Sequence, residues 1–245
     1  MTVVVSYGGG TNSCAMLVGL HERGERPDAI LFADTGGEKP HTYDHINTMQ
    51  HWCASVGFPP IAIVQSAYRD GTQYTLEQRC IEGKMLPSIA YGFKACSIKH
   101  KKNPQTKWLK NNGMKGSMRL IGFDAGEPHR AKDYPDERYP LIEWGWGREE
   151  CVAAIARAGL PQPGKSACFF CPSSKKREIL ELRRVYPELA ARAVAMENNA
   201  ELTHVKGLGR SFAWRDLLAF DAAQLKMLPE PTIEIACDCY DGEAP

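Results

Sequence analysis

The opening residues Thr2–Ser6 (TVVVS) run directly into a glycine turn over Tyr7–Asn12 and then into a helical pattern over Ser13–Arg23. A short β-branched run that a parallel sheet would bury, a glycine turn and a helix together narrow the fold to a small set. The alternation continues. Ala29–Phe32 is the next apolar run, DTGGEKP follows it, and Pro40 suits a helix start. Tyr43, Ile46, Met49, Trp52 or Cys53, and Val56 then recur at helical spacing. Ile61–Val64 and Met118–Phe123 are the third and fourth strand candidates. Strands separated by helices imply right-handed crossovers. The fold class is therefore α/β, an open, mostly parallel sheet with helices on both faces.

The stretch from Ser66 to Lys115 is less regular and carries Lys94, Lys99, Lys101, Lys102, Lys107 and Lys110. Tyr139–Trp144 (YPLIEW) reads as a short strand, and a helix is expected from about Arg148 to Ala158. A loop through Pro161, Pro163 and Gly164 leads to CFFCP. From Lys175 onward the pattern is helical with breaks at Pro187 and Gly207, ending in an irregular tail, CDCYDGEAP. These features predict an α/β domain over residues 1–172 and a helical C-terminal extension over 173–245.

Composition removes several function classes. The 245 residues carry 30 Lys+Arg against 29 Asp+Glu, a formal net charge of +1, which argues against a global polyanion-binding protein but allows a local basic patch. No run of about 18 apolar residues occurs, so no membrane span is expected. The start, MTVVVSYGGG, lacks the basic and long apolar regions of a signal peptide, and a cytoplasmic location is expected. In a reducing compartment the nine cysteines read as small buried hydrophobes or as metal, cluster or catalytic thiols, not as disulfides. Cys14, Cys53 and Cys151 fall inside apolar helical patterns and take the first reading. Cys168-Phe-Phe-Cys171 places two thiolates on one turn, which leaves zinc, an iron–sulfur cluster and a redox dithiol open.

Gly8, Gly9, Gly10, Thr11, Asn12 and Ser13 sit where the first strand turns into the first helix. Glycines there let the backbone approach an anion, the amides of the helix start point at it, and Thr11 and Ser13 add hydroxyls. A tight turn that binds nothing is the alternative. The Gly-Lys-Ser/Thr ending of the kinase P-loop is absent, as is a dinucleotide fingerprint with its acidic residue at the usual distance.

Several segments together resemble a known family. Gly8–Ser13 resembles the SGGxDS pyrophosphate loop of ATP pyrophosphatases, with Gly8 in place of the first serine and Asn12 in place of the aspartate. Phe32-Ala-Asp-Thr-Gly-Gly-Glu-Lys-Pro-His-Thr42 resembles the second signature of the phosphoadenosine phosphosulfate (PAPS) reductase family. Cys96-Ser-Ile-Lys-His-Lys-Lys-Asn-Pro104 is similar to its CCxxRKxxP, with Ser97 at the second cysteine. Gly122-Phe-Asp-Ala-Gly-Glu-Pro-His-Arg130 is similar to its glycine-to-arginine segment, and Tyr139–Trp144 to NPLxDW. Leu160-Pro161 and Gly164-Lys-Ser-Ala-Cys168-Phe-Phe-Cys171-Pro172 follow its LP…GYxSxGCxPCT pattern. The motifs fall in the family's order from Val3 to Pro172.

The resemblance implies an adenine nucleotide alpha-hydrolase-like fold, residues 1–172 being the PP-loop nucleotide-binding domain. It implies that Gly8–Ser13 cradle the phosphates of ATP with Mg2+ and that Asp34 ends strand two at the ligand edge of the sheet. Arg130 with Lys99 or Lys101 would neutralise phosphate charge. Cys96, Cys168 and Cys171 match three of the four cysteines that hold a [4Fe-4S] cluster in iron–sulfur members. Zinc, with a fourth ligand from His100, Cys237 or Cys239, is the alternative. The implied function is ATP-dependent, adenylating, pyrophosphate-releasing sulfur transfer to a nucleic acid, either a tRNA base or a DNA phosphate. Its partners would be an adenine nucleotide, that acceptor and a sulfur donor such as a cysteine desulfurase; a homodimer is compatible. Two other readings stay open. One is a PAPS or adenylylsulfate reductase using Cys237 or Cys239, although the tail ACDCYDG does not match that branch's ECGLH. The other is a non-catalytic zinc-containing nucleotide or nucleic-acid binding module.

Overall fold

The computed structural model describes residues 1–87, 89–90 and 93–227. Its strands are β1 (Val3–Tyr7), β2 (Ala29–Ala33), β3 (Ile61–Val64), β4 (Ile89–Ala90), β5 (Phe93–Lys94), β6 (Met118–Ile121) and β7 (Glu137–Arg138). Five of them form one sheet in the order β3-β2-β1-β6-β7, with every neighbouring pair parallel, while β4 and β5 make a separate antiparallel ribbon. The helices are α1 (Thr11–Glu22), α2 (Pro40–Ser55), α3 (Leu76–Glu82), α4 (Asn103–Asn111), α5 (Pro140–Glu143), α6 (Arg148–Arg157), α7 (Lys176–Val185), α8 (Pro187–Asn199) and α9 (Trp214–Met227). A π-helical turn over Ser97–Lys102 leads into α4.

Consecutive apolar residues in the central strand have a simple cause: a parallel strand covered on both sides has no wet face. Val5 lies beside Ile30 and Leu120 in the register, and these pack with residues of α1, α2 and α6 such as Leu17, Met49 and Ile155. Val4, Ala29 and Leu31 point the other way and pack on Leu109 of α4. Helices thus cover both faces, as the alternating pattern predicts. Cys14, Cys53 and Cys151 are buried in the larger core, where burial pushes each thiol up to about 12.

A further apolar cluster joins α3 to the C-terminal helices. Leu76 and Cys80 meet Phe169 and Phe170, which in turn pack on Ile179, Leu182, Ala193 and Trp214. The CFFC turn is therefore clamped by helices both before and after it in the chain. Within this region Glu197 of α8 is fully buried and accepts from the backbone N–H groups of Leu208 (2.6 Å), Trp214 (2.9 Å) and Arg215 (3.1 Å). One carboxylate both caps α9 and fixes the loop before it.

One expectation is corrected. Tyr139–Trp144 does not form a strand: Pro140 occupies the first position of α5, Leu141 is buried, and the extended segment is confined to Glu137–Arg138 just upstream. Proline's fixed φ favours a helix start and removes a ladder donor. Among the described residues no helix is long and apolar enough to cross a membrane.

Candidate functional site

The glycine turn lies at the C-terminal end of β1, the central strand. Gly9 has φ +72°, and a Cβ there would stand 3.0 Å from Thr42 Cγ2 and 3.3 Å from the Phe32 ring. Gly10 begins α1 with no side-chain cap, so the first amides of the helix stay available to a ligand. Ser13 turns its hydroxyl onto the Gly10 carbonyl (3.0 Å). Gly122, just past β6, lets that strand end against α1, since a Cβ there would lie 3.2 Å from the Asn12 and Ser13 backbone. Asn12 donates to Asp124 Oδ2 (2.9 Å), and Asp124 also takes the Gly126 N–H (2.9 Å). The loop before the CFFC turn closes the other side, with Ser166 donating to the Gly8 carbonyl. Gly9→Ala is expected to cost about 1–2 kcal/mol, the strain of a left-handed side-chain-bearing residue, read as a fall in the urea midpoint.

These segments enclose a cleft of about 670 Å3. Four cations reach its wall: Lys101, Arg130, Arg148 and Lys165, against the single carboxylate of Glu127. Arg130 lies 4.2 Å over the Phe123 ring, which stacks on Tyr139 at 5.6 Å, and it bonds Glu127 at 2.7 Å. Stacking and an ion pair hold the guanidinium at the mouth of the cleft. Of the residues expected to bind a ligand, Gly8, Gly10, Thr11, Asn12, Ser13, Lys101 and Arg130 line it. Gly9 is buried beneath and supports the turn. Lys99 is exposed, with its carbonyl 3.4 Å from the Ser66 hydroxyl.

Asp34 follows the C-terminal end of β2 and is buried. Its carboxylate accepts from the Tyr43 hydroxyl (2.9 Å), the Gln65 amide (2.9 Å) and the Gly36 N–H (2.7 Å). Burial, then the Asp34 charge, pushes the Tyr43 hydroxyl well up. All of these contacts are internal, and they fix the DTGG turn that leads to Glu38.

Glu38 joins the cleft to the thiols. It faces Cys168 across an antiparallel bridge, beside a hydrogen bond from Phe169 N–H to the Gly37 carbonyl (2.7 Å). Lys101 Nζ approaches Glu38 Oε1 at 3.5 Å, and Glu38 Oε2 is buried with no partner among the described residues. Cys168 Sγ lies 2.9 Å from Thr35 Oγ1. Burial pushes the Glu38 carboxyl up and the Cys168 thiol up to about 12. Burial is the largest influence on the Lys101 ammonium and draws it down, but the Glu38 carboxylate together with Cys168 and Cys96 holds Lys101 above its ordinary value.

Cys168 and Cys171 share one turn, with Cys171 N–H on the Cys168 carbonyl at 3.0 Å, and Cys96 packs against the same apolar cluster as Cys168. Among the described residues, however, no three His, Cys, Asp or Glu side chains come together as a metal-holding group. Cys237 and Cys239 lie outside the described residues. Arg148 is a cleft residue that sequence reasoning did not single out, while Gly122, Lys165 and Ser166 lie in the resembled segments with no role assigned to them. Lys165-Ser166 lies one residue before the CFFC turn and offered a local signal, whereas Arg148 at the start of α6 offered none.

The chain matches no family model and no curated protein. Among solved structures it is similar to a U34-tRNA thiolase, NcsA, from Methanococcus maripaludis with its [4Fe-4S] cluster, at 14% identity and a TM-score of 0.43 over 100% of this chain and 78% of that one. It is also similar to a predicted subunit of a tRNA methyltransferase from Methanocaldococcus jannaschii, at 18% identity and a TM-score of 0.36 over 77% of this chain and 91% of that one.

Proposed function

We propose that the chain is an ATP-pyrophosphatase-type enzyme of the adenine nucleotide alpha-hydrolase-like fold, which binds MgATP in the glycine-loop cleft and adenylates a nucleic-acid acceptor for sulfur transfer. The observation that carries this reading is the cleft itself. Four cations and an uncapped helix start converge where the central strands of a parallel sheet end, the arrangement that suits a polyphosphate at an open α/β edge. The motif resemblance to the PAPS reductase family supports adenine as the base and the α-phosphate as the reacting group.

In this reading the amides of Gly10–Ser13 take the β- and γ-phosphates. An acceptor oxygen attacks the α-phosphorus, the bond to the bridging oxygen breaks, and pyrophosphate leaves with its charge met by Arg130 and Arg148. Lys101 stabilises the negative charge that develops on the α-phosphate. Hydrosulfide from an external sulfur donor then displaces AMP, leaving sulfur where the acceptor carried oxygen. Asn12 stands where the resembled loop has an aspartate, and the hydrogen bond that its side-chain NH2 donates to Asp124 keeps a carboxylate next to the loop.

The test is equilibrium dialysis of the full chain with labelled ATP, followed by pyrophosphate release in the presence of bulk tRNA or DNA and hydrosulfide. Saturable ATP binding and acceptor-dependent release are expected, with release lowered about 10²-fold in Arg130→Ala. Absence of ATP binding, or release indifferent to Arg130, would overturn the reading.

A further inference from the structure

A second cleft, of about 560 Å3, opens beside the first and shares Gly164 and Lys165 with its wall. Whatever occupies the second cleft therefore abuts the occupant of the first. Its floor carries an aromatic pair: the rings of His41 and Tyr186 are 6.3 Å apart at a 32° tilt, and Tyr186 Oη approaches His41 Nδ1 at 3.5 Å. Gly164 is what lets the loop lie on His41, because a Cβ there would stand 2.5 Å from the imidazole. Tyr186 ends α7 and packs one side on the C-terminal apolar cluster, so its position is set by the core.

The charges at the rim are not balanced. Lys165 is neutralised by Glu178, at 2.7 Å. Lys39 and Arg177 also line the cleft, and neither has an ion-pair partner among the described residues. The lining thus sets three cations against two carboxylates, Glu178 (held by Lys165) and Glu181, and keeps one net positive charge. An aromatic platform with two uncommitted cations, in a cleft sized for one small ligand, matches a nucleotide unit of a single strand: the base has a π-face for the rings and the phosphate has a charge for the rim. A paired base inside a duplex cannot present that face without leaving the stack.

We infer that this cleft is the acceptor subsite, seating one nucleotide of a single-stranded nucleic acid with its base on Tyr186 and His41 and its phosphate between Lys39 and Arg177. The assignment rests on the proposal that the neighbouring cleft holds ATP and serves a nucleic-acid acceptor. It places the acceptor on the Gly164–Lys165 side of the glycine loop.

The experiment is fluorescence anisotropy of the full chain with labelled single strands of about 12 nucleotides, RNA and DNA, and with the matching duplexes. Tyr186→Ala is expected to weaken single-strand binding roughly tenfold, while Tyr186→Phe retains it. Lys39→Ala combined with Arg177→Ala, both on the surface, should lower the salt slope of binding by about 0.7, the loss of one phosphate contact on a single strand. The preferred sugar identifies the acceptor as RNA or DNA. ATP affinity, read by dialysis on the same variants, should stay at the wild-type value because none of these residues lines the first cleft. Unchanged strand affinity and salt slope in both sets, with ATP still bound, overturns the subsite and leaves the ATP reading standing. Tighter binding of duplex than of single strand overturns the stacked-base geometry. Loss of strand binding in the variants of a protein that never binds ATP supports the subsite while removing the adenylation chemistry.

Discussion

Lys101→Met should lower pyrophosphate release about 10²- to 10³-fold, the effect of removing one preorganised charge from a reacting phosphoryl group. It should also cost about 1–3 kcal/mol of stability, because it strands a buried acceptor. The two effects have different sources. The Lys101 side chain is 40% exposed and reaches the cleft, whereas that of Glu38 is fully buried and loses its partner. Adding Glu38→Gln replaces the stranded carboxylate with a neutral amide, so the double variant should recover most of the stability and none of the turnover. Urea melts and a pyrophosphate assay on the wild type and the two variants separate the contributions. Recovery of turnover in the double variant would mean that Lys101 acts only by neutralising Glu38.

The second large effect is purely structural. Glu197→Ala should destabilise the chain by about 3–5 kcal/mol, since three backbone donors at Leu208, Trp214 and Arg215 lose their acceptor in a dry interior. Glu197→Gln should cost less, because its amide oxygen can still serve two of them while its NH2 faces a donor. Hydrogen exchange should then show the amides of the loop before α9 opening first, as expected when a local capping contact fails before the sheet does. Equal protection in wild type and Glu197→Ala would show that the loop is held by its apolar contacts alone.

Much of this arrangement is legible in the sequence where the cause is local. The β1, glycine-turn, α1 segment declares itself because burial on both faces, a left-handed turn and a bare helix start each leave a mark within a dozen residues. The buried cysteines Cys14, Cys53 and Cys151 are legible for the same reason: each lies within a helical apolar stripe. Tyr139–Trp144 misleads because its apolar content fits a strand, while Pro140 sets a helix start. What stays hidden is part of the cleft wall, since Arg148 belongs to a segment that meets the glycine turn only once the sheet has closed. Asn12 is the clearest case. In one dimension it reads as a lost acid, yet Asp124, 112 residues later, brings a carboxylate to its amide. The bridge between Glu38 and Cys168 is invisible for the same reason, and with it the link from the cleft to the thiols.

The position of β1 also governs how the chain can be made. Its neighbour on one side, β2, follows within 30 residues, but Val3 pairs on the other side with Met118. During synthesis at about 5–20 residues per second the unfilled edge of β1 would wait roughly 6–20 s for β6. That edge is a run of valines, the kind of surface that recruits a foreign strand. A nascent chain released or stalled before residue 121 should therefore aggregate, and one carried through β6 and α6 should do so less. Soluble yield would then depend on the rate of elongation through the middle of the message more than on the stability of the finished fold.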